Sequence, residues 1–203
     1  MPMPHSRHCP KGSVIICISG MAGCGKSTVA KKIAEEFGLR YFSGGDALKA
    51  LALETGYKPL ERGWWESQEG MKFLRKRSEK PSFDKEVDKK LLEWARLGNV
   101  VLDSWTMPWL LKRRGFKIWL EASPDVRAQR IATRDGIDIK RAITAIHEKD
   151  SRTQSIYKRL YGFDLGADFS PFDLILDVND LTPEEVFRTL SLAISRLCKI
   201  QAG

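Results

Sequence analysis

Cysteine is scarce in this chain of 203 residues. The four present, Cys9, Cys17, Cys24 and Cys198, show no C-x-x-C spacing. No disulfide framework or tetrahedral zinc site can be read from them, and reduced thiols in a cytoplasmic setting are the expectation. Long apolar runs are missing too. The longest spans residues 14–18, far short of the roughly 18 residues of a membrane helix. The first 12 residues carry three prolines and basic side chains instead of an apolar segment, so they read as a flexible tail and not as a secretory signal. Internal repeats and low-complexity tracts are absent. Acidic residues fall short of basic ones, 26 against 34, for a net charge of +8. That surplus fits anionic partners, either phosphates or nucleic acid, without choosing between them.

What is present is an alternation of short apolar runs and amphipathic stretches. Residues 13–19, 39–42, 99–103, 116–121 and 173–177 are short and rich in β-branched or aromatic side chains, and read as buried strands. Between them lie helical patterns over residues 26–37, 46–54, 64–78, 83–97, 108–114, 124–134 and 138–161, and a last one follows from 183 to 198. Ser123-Pro124-Asp125 and Thr182-Pro183-Glu184-Glu185 are helix starts, with a hydroxyl at the cap and proline at the first helical position. Strands separated by helices predict an α/β domain with a parallel sheet, over residues 13–203. The stretch from about 44 to 98 is long for a connection and reads as a substrate-binding insertion. Its tryptophans and those nearby (Trp64, Trp65, Trp94, Trp105, Trp109) either fill the core or offer surface to stack a base.

One motif carries chemistry. Gly20-Met21-Ala22-Gly23-Cys24-Gly25-Lys26-Ser27 fits G-x-x-x-x-G-K-[ST], and Thr28 follows. A strand precedes it and a helix follows, the context in which such a loop turns its amides onto phosphate oxygens. The helix N-terminus adds partial positive charge. Lys26 is placed to reach the β- and γ-phosphates of a nucleotide, and Ser27 to offer its hydroxyl to Mg²⁺. Asp103 closes the third strand, where a carboxylate can hold the same metal through water. Arg130 and Arg134, four residues apart, share one helix face and suit a triphosphate or a transferring phosphoryl group. Lys149, Arg152, Lys158 and Arg159 continue the basic series. Ser43, Gly44, Gly45 and Asp46 end the second strand on the same sheet edge as the phosphate loop, where an acceptor substrate would bind.

The residues ISGMAGCGKSTVAKKIAEEFGLRYFSGGD resemble the start of the nucleoside monophosphate kinases, and most closely the archaeal-type cytidylate kinases. VDKKLLEWARLGNVVLD, FKIWLEASPDVRAQRIATRDG, YKRLYGFDL and FDLILDVNDLTPEEVF continue the likeness in order, so that it covers residues 13–195 and is weakest over 57–82. The resemblance implies a P-loop kinase fold with parallel strand order 2-3-1-4-5, an acceptor-binding insertion, and a short lid at about 130–160. It further implies transfer of the γ-phosphoryl group of ATP, with Mg²⁺, to CMP or dCMP. Carried over residue by residue, it makes Lys26, Arg130, Arg134 and Arg152 catalytic. Ser43, Gly44, Asp46, Lys49, Asp103 and Trp105 become the acceptor-side residues, and Ser27 and Asp103 the metal-side pair.

The acceptor side departs from the family pattern. Lys49 and Trp105 stand where that pattern has arginines, Lys149 replaces another, and Ile156 a fourth. A lysine loses the bidentate fork, and an indole offers a single donor. Each charge-assisted hydrogen bond is worth about 1.5–3 kcal/mol. The expectation is therefore CMP turnover about ten- to a thousandfold below the family's, or a different acceptor, unless Arg62, Arg75 or Arg77 of the insertion compensates. Two other readings stay open: a kinase of a non-nucleotide acceptor, and a nucleotide-regulated RNA-binding protein using the basic clusters at 72–80 and 112–117. A small-molecule nucleotide substrate and a monomer are favoured.

Overall fold

The computed structural model describes residues 14–60, 63–80, 82–112 and 115–200. The expected N-terminal tail and Arg62 lie outside the described residues. Five strands, β1 (Ile15–Ser19), β2 (Arg40–Ser43), β3 (Val100–Asp103), β4 (Phe116–Glu121) and β5 (Leu174–Asp177), form one sheet in the order β2-β3-β1-β4-β5. All pairings are parallel, as the alternation of runs and the resemblance predict.

Burial explains why β1 is central. All five of its residues are buried, and alternate side chains serve opposite faces. Ile16 and Ile18 join α1 (Lys26–Phe37) and α8 (Pro183–Ile200) in one core. Ile15 and Cys17 face the other core, with α2 (Gly44–Glu54), α4 (Ser82–Arg96) and α5 (Met107–Leu110). Register does the rest. Asp103 pairs with Ile18 of β1 and with Ser43 of β2, so the phosphate loop, Asp103 and the start of α2 meet at one edge. That is the carboxyl end of the strands, where open α/β sheets bind ligands.

Some boundaries differ from the sequence pattern. The helix expected from residue 64 begins later, as α3 (Gln68–Glu79). Ser67 caps it, accepting from the Gly70 amide at 3.0 Å, while Trp64 is fully buried in the preceding turn. Its aromatic bulk fills the core and mimics helical periodicity. The helix expected over 108–114 is the single turn α5. α6 (Pro124–Asp135) and the 23-residue α7 (Ile139–Tyr161) pack on each other through Ala128, Ile131, Ala142 and Ile146. Cys17 and Cys24 are buried free thiols, whereas Cys198 is half of a disulfide, which corrects the expectation of reduced thiols throughout. Among the described residues no helix is long and apolar enough to cross a membrane.

Candidate active site

The loop after β1 is shaped by glycines. Gly20 and Gly23 have φ of 143° and 85°. A Cβ on Gly20 would sit 2.4 Å from the Leu120 carbonyl oxygen, and one on Gly23 2.9 Å from that of Arg127. Only glycine fits either place. Gly25 caps α1 in a left-handed conformation with no side-chain cap, which leaves the first amides of the helix for an anion. Beneath the loop the buried Arg127 donates to the carbonyls of Ala22, at 3.0 Å, and Ala122, and pairs with Asp150 of α7 at 2.8 Å. The sequence reading missed it. Its helical position reads as solvated, and only the fold brings the loop over it.

Lys26 folds back to donate to the Met21 carbonyl at 2.9 Å. The Ser27 hydroxyl donates to Asp103 Oδ2 at 2.5 Å, and the Tyr41 hydroxyl to the same oxygen at 3.1 Å. Burial pushes the Asp103 carboxyl above its ordinary range, against the lowering pull of Lys26, Ser27 and Tyr41. Ser27 and Asp103 thus present two hard oxygens side by side, a donor set suited to Mg²⁺, which takes one or two protein oxygens and fills its shell with water and phosphate. Among the described residues no group of three or more His, Cys, Asp or Glu could hold a metal alone.

On one side of Lys26 a cleft of about 380 Å³ runs past Thr28, Arg130 and Arg134 to Leu181 and Pro183. Arg130 donates to the carbonyls of Cys24, at 3.4 Å, and Val178, at 2.5 Å. It staples the phosphate loop to the segment after β5. Arg134 lies at the mouth, bonded to Asp135 at 2.5 Å and 3.6 Å from Glu66. The Asp135 hydrogen bond raises its pKa. On the other side of Lys26 a cavity of about 150 Å³ opens under the insertion. Ser43, Gly44, Asp103, Trp105 and Lys149 line it, together with Arg77, which is fully buried.

Trp105 is the wall of that cavity. Its indole N–H donates to the Gly20 carbonyl at 2.8 Å. Three cations surround the ring, with Lys26, Arg77 and Lys149 at 5.7, 5.8 and 5.9 Å from its centroid. The position at which the resemblance implies an arginine is therefore ringed by positive charge from α1, α3 and α7. Lys149 also lies 4.8 Å from the Trp65 ring, and burial draws its pKa down to about 8.

Other expected residues lie elsewhere. Lys49 turns outward to the Leu60 carbonyl at 3.3 Å and does not line the cavity, because its place on α2 puts it on the side away from α4. Arg152 pairs with Glu148 at 3.0 Å and lines a separate surface cleft with Ser78 and Arg159. The α7 periodicity that turns Lys149 and Thr153 inward turns Arg152 outward, so its expected catalytic contact is not present. Asp46 is exposed in the first turn of α2, its amide donating to Ser43 Oγ at 3.1 Å. Ser43 is thereby partly spent as a cap. Arg75 pairs with Glu148 on the surface. Ile156 packs in the aromatic core beside Trp119 and Phe163. Of the tryptophans, Trp64 is core, Trp94 stacks on Phe42 and Trp109 on Phe163, while Trp65 and Trp105 face the cavity.

The pattern of the cytidylate kinase-like family matches residues 15–180. The chain belongs to this family. It is 36% identical over 188 residues to a cytidylate kinase of Pyrococcus horikoshii, covering 93% of this chain and 92% of that one. It is 35% identical over 190 residues to a cytidylate kinase of Methanocaldococcus jannaschii, covering 92% of this chain and all of that one. Among solved structures, a shikimate kinase from Bacteroides thetaiotaomicron superposes with a TM-score of 0.55 over 89% of this chain and 98% of that chain, at 16% identity. An uncharacterized protein from Eubacterium ventriosum does so with a TM-score of 0.59 over 91% of this chain and 99% of that chain, also at 16% identity. Those two likenesses speak for the fold alone. As a member of the cytidylate kinase-like family the chain is a kinase, and its family implies ATP as the phosphoryl donor.

Proposed function

We propose that the chain transfers the γ-phosphoryl group of ATP, with Mg²⁺, to CMP or dCMP. The observation that carries this reading is the pair of cavities meeting at Lys26. One is bounded by the phosphate loop, Arg130 and Pro183, and the other by Trp105, Lys149 and the insertion. The likeness to cytidylate kinases supplies the acceptor.

In this reading ATP lies along the cleft by Thr28 and Arg130, its phosphates on the loop amides. Lys26 leaves the Met21 carbonyl and takes the β- and γ-phosphates. Ser27 and Asp103 would hold Mg²⁺, which supplies charge neutralisation where the phosphates crowd. Arg134 exchanges its carboxylate partners for the transferring group. The acceptor phosphate sits against Trp105 with Lys149 beside it, so that fixed cations offset repulsion between the two anions. Residues 44–98 then form the acceptor-binding insertion, and the 130–160 region the lid. The test is ADP release from the purified protein with ATP and Mg²⁺ over a panel of CMP, dCMP, UMP, AMP, nucleosides and sugars. Saturable turnover with CMP or dCMP is expected. Turnover confined to a sugar or a free nucleoside overturns the reading.

A further inference from the structure

Behind Trp105 the cavity ends in a buried polar floor that phosphate chemistry leaves unused. Arg77 of α3 and Asp84 and Asp88 of α4 line it, and all three side chains are almost wholly buried. Arg77 forks onto Asp84, with Nε 3.0 Å from Oδ2 and Nη2 2.6 Å from Oδ1. Its remaining donors reach the Tyr157 hydroxyl at 3.0 Å and Thr153 Oγ1 at 3.3 Å. Asp88, one helical turn beyond Asp84, accepts from the Thr106 hydroxyl through one oxygen and from the Tyr161 hydroxyl, at 2.6 Å, through the other. Two carboxylates a turn apart in a dry interior are costly, and a well-packed apolar set of the same volume would serve stability as well. Their placement on a cavity wall points to recognition.

The chemistry of the floor is one-sided. A carboxylate only accepts hydrogen bonds and a guanidinium only donates them. Asp84 spends both oxygens on the Arg77 fork. Each Asp88 oxygen is met by one hydroxyl and keeps a second lone pair. Cytosine offers an exocyclic amine at the position where uracil offers a carbonyl oxygen, and acidic side chains read that amine. A carboxylate facing the uracil oxygen leaves two acceptors opposed and unpaired.

We propose that Asp88, held by Thr106 and Tyr161 beside the Arg77–Asp84 pair, determines base specificity by accepting from the 4-amino group of a pyrimidine and rejecting a 4-oxo group. This rests on the cavity being the acceptor site, with the base passing Trp105 to the floor. Burial draws the Asp88 carboxyl up to about 6, with Thr106, Tyr161 and Arg77 acting against it and Asp84 with it. Tyr157 is the other titratable group at this floor.

The experiment compares CMP with UMP for wild type and Asp88→Asn, and measures binding of cytidine and uridine without ATP by calorimetry. The asparagine keeps the shape and adds an N–H donor. The ratio of kcat/KM for CMP over UMP should fall at least about tenfold, with KM for ATP unchanged. Wild type should bind cytidine in preference to uridine. An unchanged ratio, or parallel loss for both substrates, overturns the proposal. Should Asp88→Asn fail to fold, the wild-type ratio is followed from pH 8 to pH 5. It should drop as Asp88 protonates, because the acceptor phosphate titrates alike in CMP and UMP and cancels; a flat ratio overturns the proposal. If wild type phosphorylates neither monophosphate, the transfer reading fails, while cytidine preference still supports the floor. Equal binding of the two nucleosides, or binding of neither, overturns it.

Discussion

The indole N–H of Trp105 donates to the carbonyl of Gly20 at 2.8 Å, so the second residue after β3 is tied to the first residue of the phosphate loop. A wall of the proposed acceptor cavity and the proposed donor cradle thus share one hydrogen bond. From sequence, Trp105 reads as core or as a stacking surface, and, through the resemblance, as a missing arginine. The fold shows it surrounded by Lys26, Arg77 and Lys149. Trp105→Arg should accordingly not restore a lost function. It removes the Gly20 bond and crowds a fourth cation against three. We expect kcat/KM for CMP to fall about tenfold, the cost of a hydrogen bond and local repulsion combined, and KM for ATP to rise with it. Steady-state kinetics decide this, and faster CMP turnover in the variant would show that the missing guanidinium limits the wild type.

Lys26→Ala removes the only side-chain cation of the phosphate loop. Its hydrogen bonds stay within the loop, to the Met21 carbonyl and Cys24 Sγ, so the fold should be untouched. Turnover should drop about 10²–10³-fold, the loss typical of one electrostatic contact to a transition state. Circular dichroism and the melting temperature check the fold, and undiminished turnover sinks the assignment. Asp103→Asn should weaken Mg²⁺-dependent activity far more than metal-free ATP binding, since the Ser27 hydroxyl keeps an acceptor while the charge is lost.

Arg130 and Arg134 read from sequence as one pair, both expected to lower kcat when removed. The structure separates them. Arg130 holds the Cys24 and Val178 carbonyls together along the cleft that Thr28 also lines. Arg134 sits at the mouth between Asp135 and Glu66, able to turn inward. Arg130→Ala should raise KM for ATP several-fold with a smaller effect on kcat. Arg134→Ala should lower kcat with little change in KM, the mark of a group engaged mainly in the transition state. Identical profiles for the two variants would contradict this division.

What was legible in the sequence was what local rules control. The apolar runs gave the strands, the glycine-rich loop with its flanks gave the phosphate cradle, and the resemblance gave the strand order. Asp103 could be placed because a carboxylate closing an apolar strand has one edge to face. The insertion was harder. Trp64 looked helical because its bulk follows the α3 period, yet it fills the core ahead of the Ser67 cap. Asp84, Asp88 and Arg127 read as ordinary helix charges, and Arg77 as one of three compensating cations of the insertion with nothing to single it out. Their burial comes from helix packing across α3, α4, α6 and α7, which no local pattern encodes. Lys49 and Arg152 erred the other way, since a family position does not fix a side chain's direction.

Lys149 provides the pH test. Burial draws its pKa down to about 8, with Lys26 and Arg134 also lowering it and Glu66 and Asp150 raising it. Unfolded, the side chain titrates near 10.4. Between those values the unfolded chain binds more protons than the folded one, so this lysine makes stability rise with pH across that window. Below pH 8 the fold carries the full cost of the buried charge. Lys149→Met should therefore raise the melting temperature at pH 7, and the gain should shrink between pH 8 and 10. Activity should move the opposite way. If charged Lys149 steadies the acceptor anion, kcat/KM for CMP falls as pH rises through the lysine's pKa, approaching tenfold per unit well above it. Lys149→Arg keeps the charge at every accessible pH and should abolish that alkaline limb while retaining turnover. A limb that persists unchanged in Lys149→Arg would assign it to another group and remove Lys149 from acceptor binding.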